Sequence, residues 1–512
     1  MGKLDHKFKL KKPMKKTIFY LKAKIIDIEA RVAWIVVLNK LDCQKLGIKP
    51  GDGLVMHLKG QSIGVYVDVT DELVREGEVG IFEDLSQRFE IDESEKLEFS
   101  LLAKPQSLDA IQKKLLGDEL TYKEMYSIVS DIVSRKLNDV AVAFFVASSF
   151  FEKISTKELF YLTKAMAETG KKIKFPGIVA DKHSVGGLCG NETTPIIVPI
   201  VASYGIYIPK TCSRAITSAS GTADTMETIA KVSFSTNELI KIVKKTKGCI
   251  VWGAGDIVPS DARIIEVASQ LLVESYPKLV SSIVAKKVAM GVKYLVIDIP
   301  VNKYAKIKNK KEAEELRKLF EGITKRFKIK TYVSVNYTKG PIGRGIGPAL
   351  QVYDDLLVLE QKENRPRDLE ERAVELAGYI LELVGKAKKG EGKEKAKSAL
   401  KSGKALEKFR EIVKAQGGDS KINSDKIKPA KIIYEVKAKK SGKVKEVINY
   451  HLSEIARILG APFTKGAGIY LNKKQGEEFK KEETLYTLYA PTKFRLKMAL
   501  KTLKKKKLLV VN

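Results

Sequence analysis

Two stretches decide the fold class: Ile178-Val179-Ala180-Asp181-Lys182-His183-Ser184-Val185-Gly186-Gly187 and Lys210-Thr211-Cys212-Ser213-Arg214-Ala215-Ile216-Thr217-Ser218-Ala219-Ser220-Gly221-Thr222-Ala223-Asp224. In the first, Ile178 to Ala180 read as the end of a buried strand. Asp181 to Gly187 then read as a strand-to-helix turn, where glycine permits positive φ and lets backbone N–H groups approach a ligand. Thr193 or Thr194 suits a helix N-cap, and Pro195 the first helical position. An oxyanion there would meet Lys182, the Ser184 hydroxyl and the positive end of a helix dipole. A glycine turn beside a solvated lysine is the plainer reading of this loop alone.

The second stretch shifts that balance. Lys210 to Ser213 read as a short strand and Thr222 as the N-cap of the next helix. Ser213, Thr217, Ser218, Ser220 and Thr222 surround Arg214 with hydroxyls. Loops on consecutive strand-to-helix turns face the same edge of a parallel sheet, where ligands commonly sit.

These residues carry a resemblance. Asp181 to Gly187 and the Ser-Arg-Ala-Ile-Thr-Ser run from Ser213, continued to Glu227, resemble the thymidine/pyrimidine-nucleoside phosphorylase superfamily. The wording of that run is similar to its archaeal branch, the AMP phosphorylases. Val258-Pro259-Ser260-Asp261, Ser282-Ile283-Val284-Ala285-Lys286-Lys287 and Pro341-Ile342-Gly343 to Leu350 extend the match in family order over nearly the whole chain.

The resemblance implies an α/β class with a two-lobe phosphorylase fold, a helical lobe beside an α/β lobe, plus an extra N-terminal β-rich domain and a small C-terminal β domain. The expected division is 1–102 (an oligomerisation-type module), 103–172 with an excursion at 261–290 (helical lobe), 173–429 (α/β lobe) and 430–512. The texture agrees. Residues 34–38, 55–58 and 64–69 read as strands, 122–133 and 140–150 as helices. Residues 249–252, 294–299 and 330–337 read as strands alternating with helices such as 311–327. The Lys/Gly-rich segment 385–403 reads as a linker before a helix over 404–415. Short strands return at 433–436, 469–471 and 484–489.

The implied reaction is attack of inorganic phosphate on C1′ of AMP, or of CMP or UMP, with free base and ribose 1,5-bisphosphate as products. By resemblance, Lys182, Ser184, Gly187, Ser213, Arg214, Ala215, Ile216, Thr217, Ser218 and Thr222 bind substrate and its phosphates, jointly for the inorganic and the 5′-phosphate. Ser282 and Lys286, spaced i, i+4 on one helix face, and Lys306 join them. The family's general-acid aspartate is replaced here by Glu274, with His183 as the second acid candidate and Asp261 and Asp256 as fallbacks. Glutamate is longer by a methylene, a displacement large enough to matter for catalysis. Nucleosides without a 5′-phosphate are the alternative substrates.

Composition frames these expectations. The chain has 512 residues and a net charge of +31. That charge raises nucleic-acid binding as the rival class. The lysines are spread along the whole chain, with clusters only at 7–16 and 501–507, so nucleic acid is not the expected partner. Cys43, Cys189, Cys212 and Cys249 lack metal-site spacing and read as free thiols of a cytoplasmic protein. No apolar run reaches the ~18 residues of a membrane span, and the first residues lack a signal-peptide core. The expected partners are the nucleotide, phosphate and further copies of the chain. The chemistry asks for no metal or organic cofactor.

Overall fold

The computed structural model describes residues 18–30, 34–150, 154–215, 218–253, 257–270 and 275–512. The described residues within Met1–Ile154 and Arg263–Val273 make one compact unit, and those within Ser155–Ala262 and Glu274–Asn512 a second.

In the first unit, β1 (Ile18–Ile26), β2 (Ile35–Asn39), α1 (Lys40–Leu46), β3 (Gly53–Leu58), β4 (Gln61–Thr70), β5 (Glu78–Phe82), α2 (Glu83–Phe89) and β6 (Lys96–Leu101) follow in order. The six strands close into a barrel of order β1-β5-β2-β4-β3-β6. Closure leaves no free sheet edge. Its centre is filled by Leu38, Leu54, Met56, Val65, Ile81, Leu97 and Phe99. Helices α3 (Ser107–Leu115), α4 (Tyr122–Val133) and α5 (Asp139–Phe150) follow. Thr121 caps α4 reciprocally with Glu124, as a Thr-x-x-Glu start should.

The second unit opens with α6 (Thr156–Glu168), then β7 (Ala180–Ser184), α7 (Thr194–Ser203), β8 (Ile208–Cys212), α8 (Thr222–Met226), α9 (Thr236–Thr246) and β9 (Gly248–Trp252). Next come α10 (Pro259–Gln270), whose residues beyond Ala262 belong to the first unit, α11 (Tyr276–Ala289), β10 (Tyr294–Val301), α12 (Lys310–Arg326) and β11 (Lys330–Tyr337). Strands pair in parallel as β11-β10-β7 and β8-β9. A parallel bridge between Val179 and Tyr207 joins the two sets. The result is one parallel sheet of order β11-β10-β7-β8-β9. All its loops leaving C-terminal strand ends emerge on one edge.

Helix α7 is apolar on every side and wholly buried from Thr194 to Ala202, as an all-round hydrophobic helix must be. It packs into a core with β12 (Gly345–Ile346) nearby in sequence, α13 (Pro348–Leu359), α14 (Arg367–Leu383), α15 (Gly392–Lys401) and α16 (Lys404–Ala415), whose Leu356, Ala377, Leu400 and Phe409 share that core. Helix α15 corrects the linker reading of 385–403. Ala396, Ala399 and Leu400, spaced i, i+3, i+4, are buried, so half of that lysine-rich segment is an amphipathic helix with its charges in solvent.

The chain ends in an antiparallel module: β13 (Ile432–Lys437), β14 (Gly442–Val447), α17 (Asn449–Leu459), β15 (Gly468–Leu471), β16 (Glu478–Phe479), β17 (Thr484–Ala490), α18 (Lys493–Leu503) and β18 (Leu509–Val511). One sheet runs β12-β15-β17-β13, the other β16-β14-β18. All four cysteines are free and buried. Among the described residues no helix is long and apolar enough to cross a membrane.

Strand β9 is a sheet edge whose neighbour is a side chain. The Gln416 amide accepts from Ile250 N at 2.9 Å and donates to Ile250 O at 2.9 Å and Lys231 O at 2.8 Å. Replacing it with leucine strands the two buried backbone groups of Ile250, each costing about 1–3 kcal/mol, and removes a partly buried bond to Lys231 O. Thermal unfolding of Gln416→Leu should therefore begin well below wild type, with unchanged helix content at 25 °C; an unshifted transition would refute this role.

Candidate functional site

The first loop departs from its expected local structure. Strand β7 runs through Ser184 because Ala180 to Ser184 pair in register with Tyr294 to Asp298 of β10. Lys182 and His183 therefore stand on a strand, and the turn is confined to residues 185–193. Asp181 and Lys182 are both buried there. Asp181 takes Lys287 Nζ at 2.6 Å and lies 3.9 Å from Lys210 Nζ. Asp298, in register with Ser184, pairs with Arg372. Burial alone would raise the Asp298 carboxyl, yet Arg372 and Lys182 beside it hold it below its ordinary value.

Lys182 has no such carboxylate in hydrogen-bond contact. Among the described residues its ammonium hydrogen-bonds only to Thr193 Oγ1, at 2.7 Å. Burial pushes its pKa down to about 8, against the pull of Asp298. Thr193 is the N-cap residue of α7, but its hydroxyl makes no cap bond because it serves Lys182. Pro195 takes the second helical position, since the helix starts at Thr194. The arrangement is a buried cation at the start of a helix, both features that favour an anion.

Gly187 has φ +93°, and a Cβ there would lie 2.4 Å from Lys306 N. Only glycine brings these two loops so close, and this juxtaposition puts Lys306 beside the cradle. Asn449, the first residue of α17, fixes the glycine loop from the C-terminal module: its amide donates to Gly187 O at 3.0 Å and accepts from Cys189 N at 2.8 Å. Asn191 reaches both Ser184 Oγ and Asp298 at 3.4 Å.

In the second loop, Gly221 is the N-cap and Thr222 the first residue of α8. The Thr222 hydroxyl turns instead to Glu192, at 2.9 and 3.2 Å from its two oxygens. Asp224 ties the loop down by accepting from Ala215 N at 2.7 Å and Gly221 N at 3.0 Å. Arg214 is bidentate to Glu227 at 2.7 and 2.5 Å and lies over the Trp252 ring at 5.4 Å. Its charge is thus already matched. Ser213 stands just beyond β8, and the Ser218 hydroxyl donates to Ser220 O at 3.0 Å. Ile216, Thr217, Asp256 and Glu274 lie outside the described residues.

Ser282 and Lys286 do share one face of α11. The Lys286 ammonium donates to Ser282 Oγ at 3.2 Å and pairs with Asp261. That pairing leaves Asp261 as a counter-ion. His183 has its Nδ1 inside the protein without a partner among the described residues. Burial, then Lys210, Lys287, Lys286 and Lys182, push its pKa well below the ordinary value. The ring is neutral and has no proton to give as an imidazolium at pH 7.

Sequence reading missed Glu192, Asp298, Lys287, Arg372, Asp355 and Asn449. Glu192 is held up to about 7 by burial, and beside it Asp355 on α13 is pushed well above its ordinary value by burial and by Glu192. Both Asp355 oxygens are buried without a partner among the described residues. Buried carboxyls that feel each other's charge resist double ionisation.

The chain matches the models of three domains: the glycosyl transferase family helical bundle domain at residues 108–170, the glycosyl transferase family a/b domain at 177–406 and the pyrimidine nucleoside phosphorylase C-terminal domain at 443–508. Its fold is similar to that of anthranilate phosphoribosyltransferase from Thermus thermophilus, with a TM-score of 0.51 at 16% identity over 60% of this chain and 100% of that one. The fold is thus of the glycosyltransferase class with a helical bundle and an α/β domain. Among curated proteins, AMP phosphorylase of Methanospirillum hungatei is 39% identical over 94% of this chain and 93% of its own length. The Methanocaldococcus jannaschii enzyme of that name is 39% identical over 94% and 96%, and that of Methanosarcina mazei 40% over 91% and 92%. The chain belongs to the AMP phosphorylase family.

The charge of the cradle changes with pH. As pH rises, Glu192 ionises through about 7 and Lys182 discharges through about 8. Both steps make the cradle less positive, so anion affinity should fall from pH 6 to pH 9. Calorimetric titration with sulfate, which does not itself titrate in this range, should show that fall, and Glu192→Gln should remove its lower-pH portion. An affinity independent of pH in wild type would contradict the assignment.

Proposed function

We propose that the chain catalyses phosphorolysis of AMP, with CMP and UMP as further candidates, to free base and ribose 1,5-bisphosphate, a pentosyl transfer serving nucleotide salvage. The observation that carries this reading is the buried Lys182 ammonium with Thr193 as its one hydrogen-bond partner among the described residues. A buried cation so sparsely matched is stabilised by an arriving anion. A phosphate oxygen attacks C1′ as the C1′–N bond breaks, and the leaving base takes a proton on its ring nitrogen. Cationic character grows on the sugar in that transition state, and phosphate held by Lys182, Ser184, Gly187 and Thr222 is positioned to stabilise it. Lys306, brought against Gly187, suits a second phosphate.

Ser213, Arg214, Ala215, Ile216, Thr217 and Ser218 complete the substrate-binding set, with Ser282 and Lys286 toward the base. Glu274 is the preferred acid, because neutral His183 lacks the proton. In this reading residues 1–102 form an oligomerisation module, 103–172 with 261–290 the helical lobe, 173–429 the α/β lobe and 430–512 a C-terminal β domain, in a homo-oligomer working in the cytoplasm.

The test is phosphate-dependent release of free base from AMP, CMP, UMP, adenosine and thymidine. Release from the monophosphates alone is expected, and Glu274→Ala should cut kcat by roughly 10²–10⁴. Release from nucleosides alone would sink the nucleotide reading in favour of a nucleoside phosphorylase.

A further inference from the structure

Helix α18 carries two stripes. Leu496, Ala499, Leu500 and Leu503 face the core of the C-terminal module. Phe494, Lys497, Met498 and Lys501, also at i, i+3, i+4, i+7, are exposed, with Phe494 70% and Met498 46% accessible. Between Leu485 and Asn512 there is no Asp or Glu, but Lys493, Arg495, Lys497, Lys501 and the run 504–507 are all cationic. Of these, Lys506 is neutralised by Glu454 at 2.6 Å. Lys493, Lys497, Lys501, Lys504, Lys505 and Lys507 meet no carboxylate among the described residues. The run is also held in place, since β18 follows it and His451 Nδ1 lies 2.7 Å from Lys507 O.

Helix stability does not account for this pattern. Lys493 and Arg495 sit in the first turn, where the macrodipole disfavours cations. Burial does not account for Phe494. The Arg495 guanidinium donates to Ile458 O at 3.1 Å, setting the start of α18 against the end of α17. Phe463, 92% accessible, follows that end. An exposed Phe494 ring on one stripe with Lys497 and Lys501, which meet no carboxylate among the described residues, matches a chain of phosphates carrying stackable bases.

Against the expectation drawn from the spread of lysines along the chain, we infer that the outer stripe of α18, with Phe494 as its stacking platform, is a binding surface for single-stranded nucleic acid. The surface is separate from the anion cradle and independent of the phosphorolytic reading. A membrane surface fits it less well, because an interfacial helix must insert a continuous apolar face, and here that face is spent on the module's own core.

The test uses the full-length protein and a fluorescent oligouridylate of about 20 nucleotides in an anisotropy titration, long enough to span several stacking sites. Affinity should fall with salt with a log–log slope of about −3, corresponding to roughly four neutralised phosphates. The triple variant Lys493→Glu, Lys497→Glu, Lys501→Glu should weaken binding at least about 30-fold, and Phe494→Ala about ten-fold, with the wild-type melting temperature and AMP turnover retained. Charge reversal at Lys241, Lys244 and Lys245, exposed on α9, is the control and should change affinity less than about three-fold. Equal losses in both triple variants, an inert Phe494→Ala, or binding to phosphatidylserine vesicles without binding to the oligonucleotide would each overturn the proposal.

Discussion

Asp181 and Asp298 are carboxylates with no solvent exposure on neighbouring parallel strands, and their charge has to be matched inside the protein. Removing one partner of such a buried pair costs about 3–5 kcal/mol. Lys287 from α11, Lys210 from β8 and Arg372 from α14 are drawn to them from separate elements. That requirement fixes how α11 and α14 meet the sheet edge. Once it is met, Lys182 is left with a hydroxyl where a carboxylate would be expected. The anion site proposed at Lys182 would be the residue of an imperfect internal charge balance, next to the buried, apolar α7.

The cradle's shape depends on a second constraint from the far end of the chain. Asn449 completes the hydrogen bonds of Gly187 and Cys189, and Lys465 reaches Glu227 at 2.6 Å, so both proposed binding loops are buttressed by the C-terminal module. Loops held this way lose less entropy when a ligand binds. The carboxyl pair Glu192 and Asp355 adds a proton-sensitive element beneath Thr222.

Much of the fold was legible in the sequence because periodicity and caps are local. The helices at 122–133 and 404–415 stand where their patterns put them, and the strand alternation after Lys174 gives the parallel sheet. Ser282 and Lys286 met on one helix face because i, i+4 spacing requires it. The misreadings share a cause. Segment 385–403 looked like a linker because its lysines hid the spacing of Ala396, Ala399 and Leu400. Asp181 to Ser184 looked like a turn because polar residues on a strand are unexpected until β10 supplies buried partners. Thr222 looked like a cap because Glu192 lies 30 positions earlier. Arg372 and Asp298 are separated by 74 residues, and no local pattern announces such a pair.

In the proposed reading, anion binding rests on Lys182. Isothermal titration of inorganic phosphate into wild type and Lys182→Met, at pH 6.5 and with folding verified by thermal melting, tests this directly. Binding in wild type that weakens at least about 100-fold in the variant, as loss of a buried charge-assisted contact requires, is the predicted result. Equal binding by both proteins would contradict it.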